Sequence, residues 1–448
     1  MSLPPALIRE LVVTSLAVTG LVLPALALVV LVVPYVIAAV VALFRRDPGG
    51  AFVSHRAAVQ SRGLATTCLV AGVLALVAVQ PRYFRQVRAA PARAEGGDAT
   101  LRAAITPDVT ALIDSLPCAG VVVGVIRPTG NEVFGFGRRS VFSEVSPDGE
   151  TLFEIGGVTQ VFTGSLFARM VELGIVRMDQ PLQSLLPDTV SVPIMDGHPI
   201  ELWHLATSSS GLRLAGNPAA PLLDLFPPFA RAGPPRSTKW LLDLPSSLDI
   251  EQPPGSHVSD SDLGMGVLGG ALERASKTDY DTLLQREICR PLGLKDTRVK
   301  LTPEMADRLA EGIAMGRGSY RGWYVASPVR RWPRGAIPGS GGLCSTANDL
   351  LTLIRAHLSG FPLANTLAET RRTRLRAASG PDVGFGWFIE WTKDGEPIVW
   401  QHGAAGASRS YVAFLEGGGI GVVVLADVPI DADLLGKKIL NRLLPPNA

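Results

Sequence analysis

The chain has six histidines, at positions 55, 198, 204, 257, 357 and 402, and no two stand four apart with a glutamate between them. The zinc-holding helix of many metalloproteases is therefore missing. The four cysteines (Cys68, Cys118, Cys289 and Cys344) are widely separated and form no Cys-x-x-Cys pair. That excludes a zinc knuckle, a thioredoxin-like couple and a disulfide scaffold. No serine has glycine both two residues before and two residues after it, so the strained Gly-x-Ser-x-Gly elbow is absent, as is a Gly-x-x-x-x-Gly-Lys phosphate loop. The remaining chemistry-bearing candidates are two close carboxylates, Asp260 and Asp262, the hydroxyls of Thr159, Ser208, Ser209 and Ser210, and His402. Two carboxylates and a histidine can do acid–base work or bind a metal. The run Ser259-Asp260-Ser261-Asp262 is equally the composition of a solvated turn. No resident metal or cofactor is expected.

Composition sets the background for these residues. The 448 residues are 47% hydrophobic and only 18% charged, with 42 Lys+Arg against 40 Asp+Glu and a net charge of +2. Phosphate-driven nucleic-acid binding and general disorder are both excluded. Leu11 to Phe44 carries no charged side chain, which exceeds the roughly 20 residues needed for a membrane helix. Gly63 to Val79 is also uncharged and sits at the lower limit for a span. Residues 1–81 are thus expected to be a membrane anchor. Arg45, Arg46, Arg56 and Arg62 lie between the spans, which puts that loop inside and the rest of the chain outside the cytoplasm. Arg82, Arg85, Arg88, Arg93 and Arg102 argue the other way. Residues 82–105, rich in Ala, Arg, Pro and Gly, read as a linker, and its arginines could touch anionic headgroups.

Residues 106–448 must then position the candidates. Val121–Ile126 and Asn131–Gly137 flank the turn Pro128-Thr129-Gly130 and read as a hairpin. Ser410–Leu415 and Ile420–Ala426 read as another, across Gly417-Gly418-Gly419. Helical spacing runs through Phe153–Leu173, Leu263–Ala275 and Tyr280–Cys289, and a further helix is expected after Ser345-Thr346, running to about Ser359. Pro291 and Gly293 should end the third of these. Strands at both ends with helices between them predict an α+β fold in which the terminal strands share one sheet.

Six segments, in order, carry a resemblance. They are Phe153-Glu154-Ile155-Gly156 with Val161-Phe162-Thr163-Gly164; His204-Leu205 through Ser209-Ser210-Gly211-Leu212; Pro254-Gly255 through Gly264 and Leu268-Gly269; Pro291-Leu292-Gly293-Leu294-Lys295-Asp296-Thr297; Gly341-Gly342-Leu343-Cys344-Ser345-Thr346 with Asp349-Leu350; and Gly384 to Trp387, then His402-Gly403 through Val424-Leu425. The region from about 118 to 428 resembles the β-lactamase-related serine hydrolases, which include class C β-lactamases, DD-peptidases and related esterases. The resemblance implies a β-lactamase/transpeptidase-like fold: an antiparallel sheet flanked by helices plus a helical subdomain, here preceded by N-terminal transmembrane helices. It also implies acyl transfer through a serine that opens a helix, with a lysine three residues on to take its proton. A Tyr-x-Asn motif and a basic residue leading a third motif complete that machinery.

The departures fall on this machinery. The serine position is Gly157, the lysine position Gln160, the tyrosine position Asp260 and the asparagine position Asp262. Only the third motif keeps a basic lead residue, in His402-Gly403-Ala404. The chain has seven lysines, and none has a serine three residues before it. Three readings follow: a membrane-anchored pseudoenzyme acting as a binding, regulatory or assembly module; a hydrolase of an ester, amide or D-amino-acid peptide rebuilt on Asp260, Asp262 and His402 with Gln160 facing them; and a conventional β-lactamase or peptidase. No catalytic residue is assigned. Expected ligand contacts are Gln160, Asp260, Asp262, His402, Gly403 and Ala404. Trp203, Trp240, Trp323, Trp332, Trp387, Trp391 and Trp400 could line the cleft or simply pack. The expected partners are the lipid bilayer and a cell-envelope ligand or membrane protein, with no nucleic acid.

Overall fold

The computed structural model describes residues 98–113, 119–140, 145–186, 188, 190–214, 248–258, 262–311, 313–315, 326–328, 338–377 and 380–444. The expected spans, Leu11–Phe44 and Gly63–Val79, lie outside these residues. Among the described residues no helix is long and apolar enough to cross a membrane.

Helix α1 (Ala99–Ile113) begins inside the stretch 82–105 expected to be linker. Leu101, Ile105, Val109 and Ile113 recur four residues apart, and all are buried. Only the first two fall within the Ala- and Arg-rich segment, too few to show helical spacing there. The Asp98 carboxylate accepts from the Leu101 amide at 2.8 Å, starting the helix.

A seven-stranded antiparallel sheet forms the centre. Its strands are β1 (Gly120–Arg127), β2 (Gly130–Gly137), β3 (Asp382–Val383), β4 (Phe388–Trp391), β5 (Pro397–Ala405), β6 (Ser408–Leu415) and β7 (Ile420–Ala426), in the order β2-β1-β7-β6-β5-β4-β3. The first and last long strands pair from Val121↔Ala426 to Ile126↔Gly421, as the terminal-strand reading expected. Both sheet faces are covered, so β7 is buried along its whole length and reads as continuous apolar sequence rather than alternation.

One face, through Val399, Val412 and Phe414, packs on the layer of helices α2 (Thr159–Glu172), α3 (Asp262–Ser276) and α4 (Ala347–Ser359). Helix α5 (Ala364–Thr370) lies beside α2. The opposite face, through Trp400, Tyr411 and Val424, packs on α1 and on α6 (Ala432–Leu443). Tyr280–Cys289 is helical but changes to a π turn at Gln285. Pro291 sits within the last turn, Arg290–Leu292, and the left-handed Gly293 ends it.

Two of the resembling segments meet as a fold clamp. The Asp349 carboxylate accepts from the amides of Lys295 (3.1 Å) and Asp296 (2.8 Å) and from the Thr297 hydroxyl (2.7 Å). Its own amide donates to Thr346, the cap of α4. Burial pushes the Asp349 carboxyl upward, and these three donors oppose that push. Asp296 pairs with Arg308 at 2.5 Å, extending the clamp.

Candidate functional site

The start of α2 is built from an Ile-Gly-Gly-Val sequence. Gly156 adopts φ +47°, a left-handed conformation that glycine reaches without a Cβ penalty. Gly156–Val158 forms a 3₁₀ turn that leads into α2. The Thr159 hydroxyl accepts from the Leu343 amide at 3.3 Å and is fully buried. Thr163 donates to the Gly339 carbonyl at 2.6 Å and bonds the Tyr280 hydroxyl at 2.7 Å. These hydroxyls are tied into the fold rather than presented for attack.

Strand β5 lies directly against this turn. A β-carbon on Gly157 would stand 2.5 Å from the His402 carbonyl oxygen. One on Gly156 would stand 2.5 Å from the Ala404 amide nitrogen, and one on Gly403 would stand 2.7 Å from the Gly157 nitrogen. The Ser410 hydroxyl of β6 donates to the Ile155 carbonyl at 2.7 Å, fastening the sheet to the turn. At Gly157, the position the resemblance equates with the nucleophile, there is no side chain, and the strand backbone occupies its place.

Gln160, one turn on, is only 6% exposed. A neutral amide suits that burial, whereas a lysine there would be driven toward its uncharged form. His402 departs from the expected convergence with Gln160. Strand alternation puts its ring on the face shared with Trp400 and Tyr411, while Gln401 and Gly403 fall on the other face. The His402 Nδ1 donates to Asp433 of α6 at 2.5 Å, and the ring packs edge-on against Trp400 and Phe388. The pair is about 40% exposed, His402 at 40% and Asp433 at 38%. Nothing in the sequence pointed to Asp433, which contacts His402 across 31 positions of chain.

Asp260 lies outside the described residues, and Asp262 is described only by its backbone, at the start of α3. That start is near Ser210: a β-carbon on Gly264 would lie 3.3 Å from the Ser210 hydroxyl. Ser209 and Ser210 are buried, with Ser209 bonded to Thr207 at 2.8 Å. His204 caps the short helix Leu202–Ala206, its Nδ1 accepting from the Glu201 amide at 2.9 Å, and burial lowers its pKa. Among the tryptophans, Trp387 and Trp400 belong to the cores, Trp203 packs on His204, and Trp391 is exposed with its indole N–H on Asp382. Trp240, Trp323 and Trp332 lie outside the described residues. Among the described residues no cluster of His, Cys, Asp and Glu could hold a metal. Cys289 and Cys344 are both buried.

Known proteins share this scaffold. The D-alanyl-D-alanine-carboxypeptidase/endopeptidase AmpH of Escherichia coli (strain K12) is 28% identical over 321 residues, 68% of this chain and 78% of that protein. A beta-lactamase of the same organism is 23% identical over 354 residues, 71% of this chain and 86% of that protein. The octameric penicillin-binding protein homologue from Pyrococcus abyssi superposes with a TM-score of 0.66 at 21% identity, covering 76% of this chain and 77% of that one. The class C beta lactamase from Rhodobacter sphaeroides gives 0.64 at 22%, covering 78% and 100%. The beta-lactamase family model matches residues 107–441, from the middle of α1 to near the end of α6. With the sheet, the helical layer and that continuous match in agreement, the chain belongs to the beta-lactamase family.

Proposed function

We propose that this chain is a membrane-anchored beta-lactamase-family module that does not acylate through a serine and acts by binding, regulation or assembly. The observation that carries this reading is the contact at Gly157, where even one added carbon would meet the His402 carbonyl at 2.5 Å. Gln160 in the lysine position supports it, since an amide cannot take up a proton near neutral pH. The anchor rests on the uncharged runs Leu11–Phe44 and Gly63–Val79, and the positive-inside tendency puts the domain outside the cytoplasm. A rebuilt hydrolase would need the His402 imidazole in the cleft, and strand alternation puts that ring on the face shared with Trp400 and Tyr411.

The relatives' names make D-alanyl-D-alanine peptides the first ligands to test for binding. The full chain in detergent should show no mass increase with a fluorophosphonate or a labelled penicillin, and no hydrolysis of ester, amide or D-amino-acid substrates with or without divalent metal. A covalent adduct on the unmodified protein would overturn the proposal.

A further inference from the structure

One end of the domain gathers three features. Helix α4 runs along β1 from Leu351, which packs at Gly124, to Arg355, whose guanidinium donates to the Asn131 side chain at the β1–β2 turn. The chain leaves α4 at this end, through the left-handed Gly360, and Phe361 follows at 81% exposure. Ser359 holds the turn, its hydroxyl donating to the Phe361 carbonyl at 3.1 Å. Phe361 leads into α5, where the Thr366 hydroxyl bonds Glu172, and Leu173 next to it is 44% exposed. The chain also enters the domain here, because the Asp98 amide donates to Glu132, next to Asn131, at 2.5 Å.

We propose that this end, led by Phe361 with Leu173 and the β1–β2 turn, rests on the lipid bilayer to which the chain is tethered. The inference rests on the anchor in the proposed function, and its occupant follows from where the outside chain begins. Only residues 80–97 separate the second apolar run, which ends at Val79, from Asp98. Fully extended, a segment of that length reaches at most roughly 60 Å. A large aromatic side chain held at such a surface inserts at the headgroup level. Alone it would adsorb weakly and reversibly. Tethering supplies an effective concentration on the order of millimolar, so weak adsorption suffices. The Gly157 turn packs on the other end of β5, which leaves it clear of this contact.

The test uses the full chain in lipid nanodiscs, with Cys68→Ser and Cys118→Ser removing the two cysteines that lie outside the described residues. An environment-sensitive fluorophore is attached at Phe361→Cys or, as a control, at Val145→Cys. Val145 is 55% exposed and accepts from the Arg139 amide, past the opposite end of β2. That end is seven residue steps from the β1–β2 turn, about 23 Å. Lipids brominated in their acyl chains should quench the probe at 361 several-fold more than the probe at 145. Equal quenching, with the protein retained in membranes after alkaline carbonate, overturns the contact and leaves the anchor standing. Release by carbonate overturns the anchor and the contact together.

Discussion

The carbonyl oxygen of His402 lies 2.5 Å from where a β-carbon of residue 157 would sit. Real β-carbons essentially never come that close to a backbone atom. The Gly157→Ser/Gln160→Lys double variant is therefore expected to remain unlabelled by penicillin. It should also lose about 1–3 kcal/mol of stability from overpacking, with the buried lysine adding to the loss. Thermal unfolding and intact-mass labelling check both halves. A stable double variant that acylates would show that β5 yields readily.

His357 predicts an acid-dependent stability. It is 2% exposed, stacked against Phe414 and perpendicular to Trp387, and neither ring nitrogen has a hydrogen-bond partner. Burial, helped by the nearby Arg371 charge, lowers its pKa from 6.5 to about 3. The unfolded chain therefore binds a proton that the folded chain refuses as pH falls below 6.5, and stability declines down to about pH 3. At pH 5 the contribution is about 2 kcal/mol. Comparing urea unfolding of wild type and His357→Phe at pH 7 and pH 5 should show a shallower acid loss in the variant.

Asp349 should be the costliest polar position. Asp349→Ala strands two partly buried amides and a buried hydroxyl, and a loss of about 3 kcal/mol is expected. Thr297→Ala removes one donor and should cost roughly 1 kcal/mol. Equal losses for the two variants in denaturant titrations would argue against the clamp.

His402→Ala should be mild. Its ion pair with Asp433 is substantially exposed, so the change is expected to cost under about 1 kcal/mol. Any hydrolytic activity found in the wild type and abolished in this variant would restore the rebuilt-site reading.

The fold was legible because its signals are local. The Pro128-Thr129-Gly130 turn, the Thr346 cap and the apolar strand runs each specify their element without distant partners. The departures at Gly157 and Gln160 were equally plain, since both sit between flanks that resemble the family's. What the sequence concealed is non-local. The seating of β5 on the Gly156 turn depends on missing side chains from two segments nearly 250 residues apart, and missing atoms leave no pattern. His402 was placed with Gln160 because a motif position was equated with a direction, whereas strand alternation and Asp433 set where the ring goes. The start of α1 was concealed because its burial stripe straddles a change in composition.

The Asp349 knot carries a consequence for inheritance. Its residues belong to the stretches by which kinship is noticed, and each is engaged in keeping the polypeptide folded. Selection for a sound scaffold alone can preserve such stretches long after turnover has ceased. A label borrowed from overall likeness would thus report ancestry at these positions, and surveys of this family should score the pair at 157 and 160 before assigning activity.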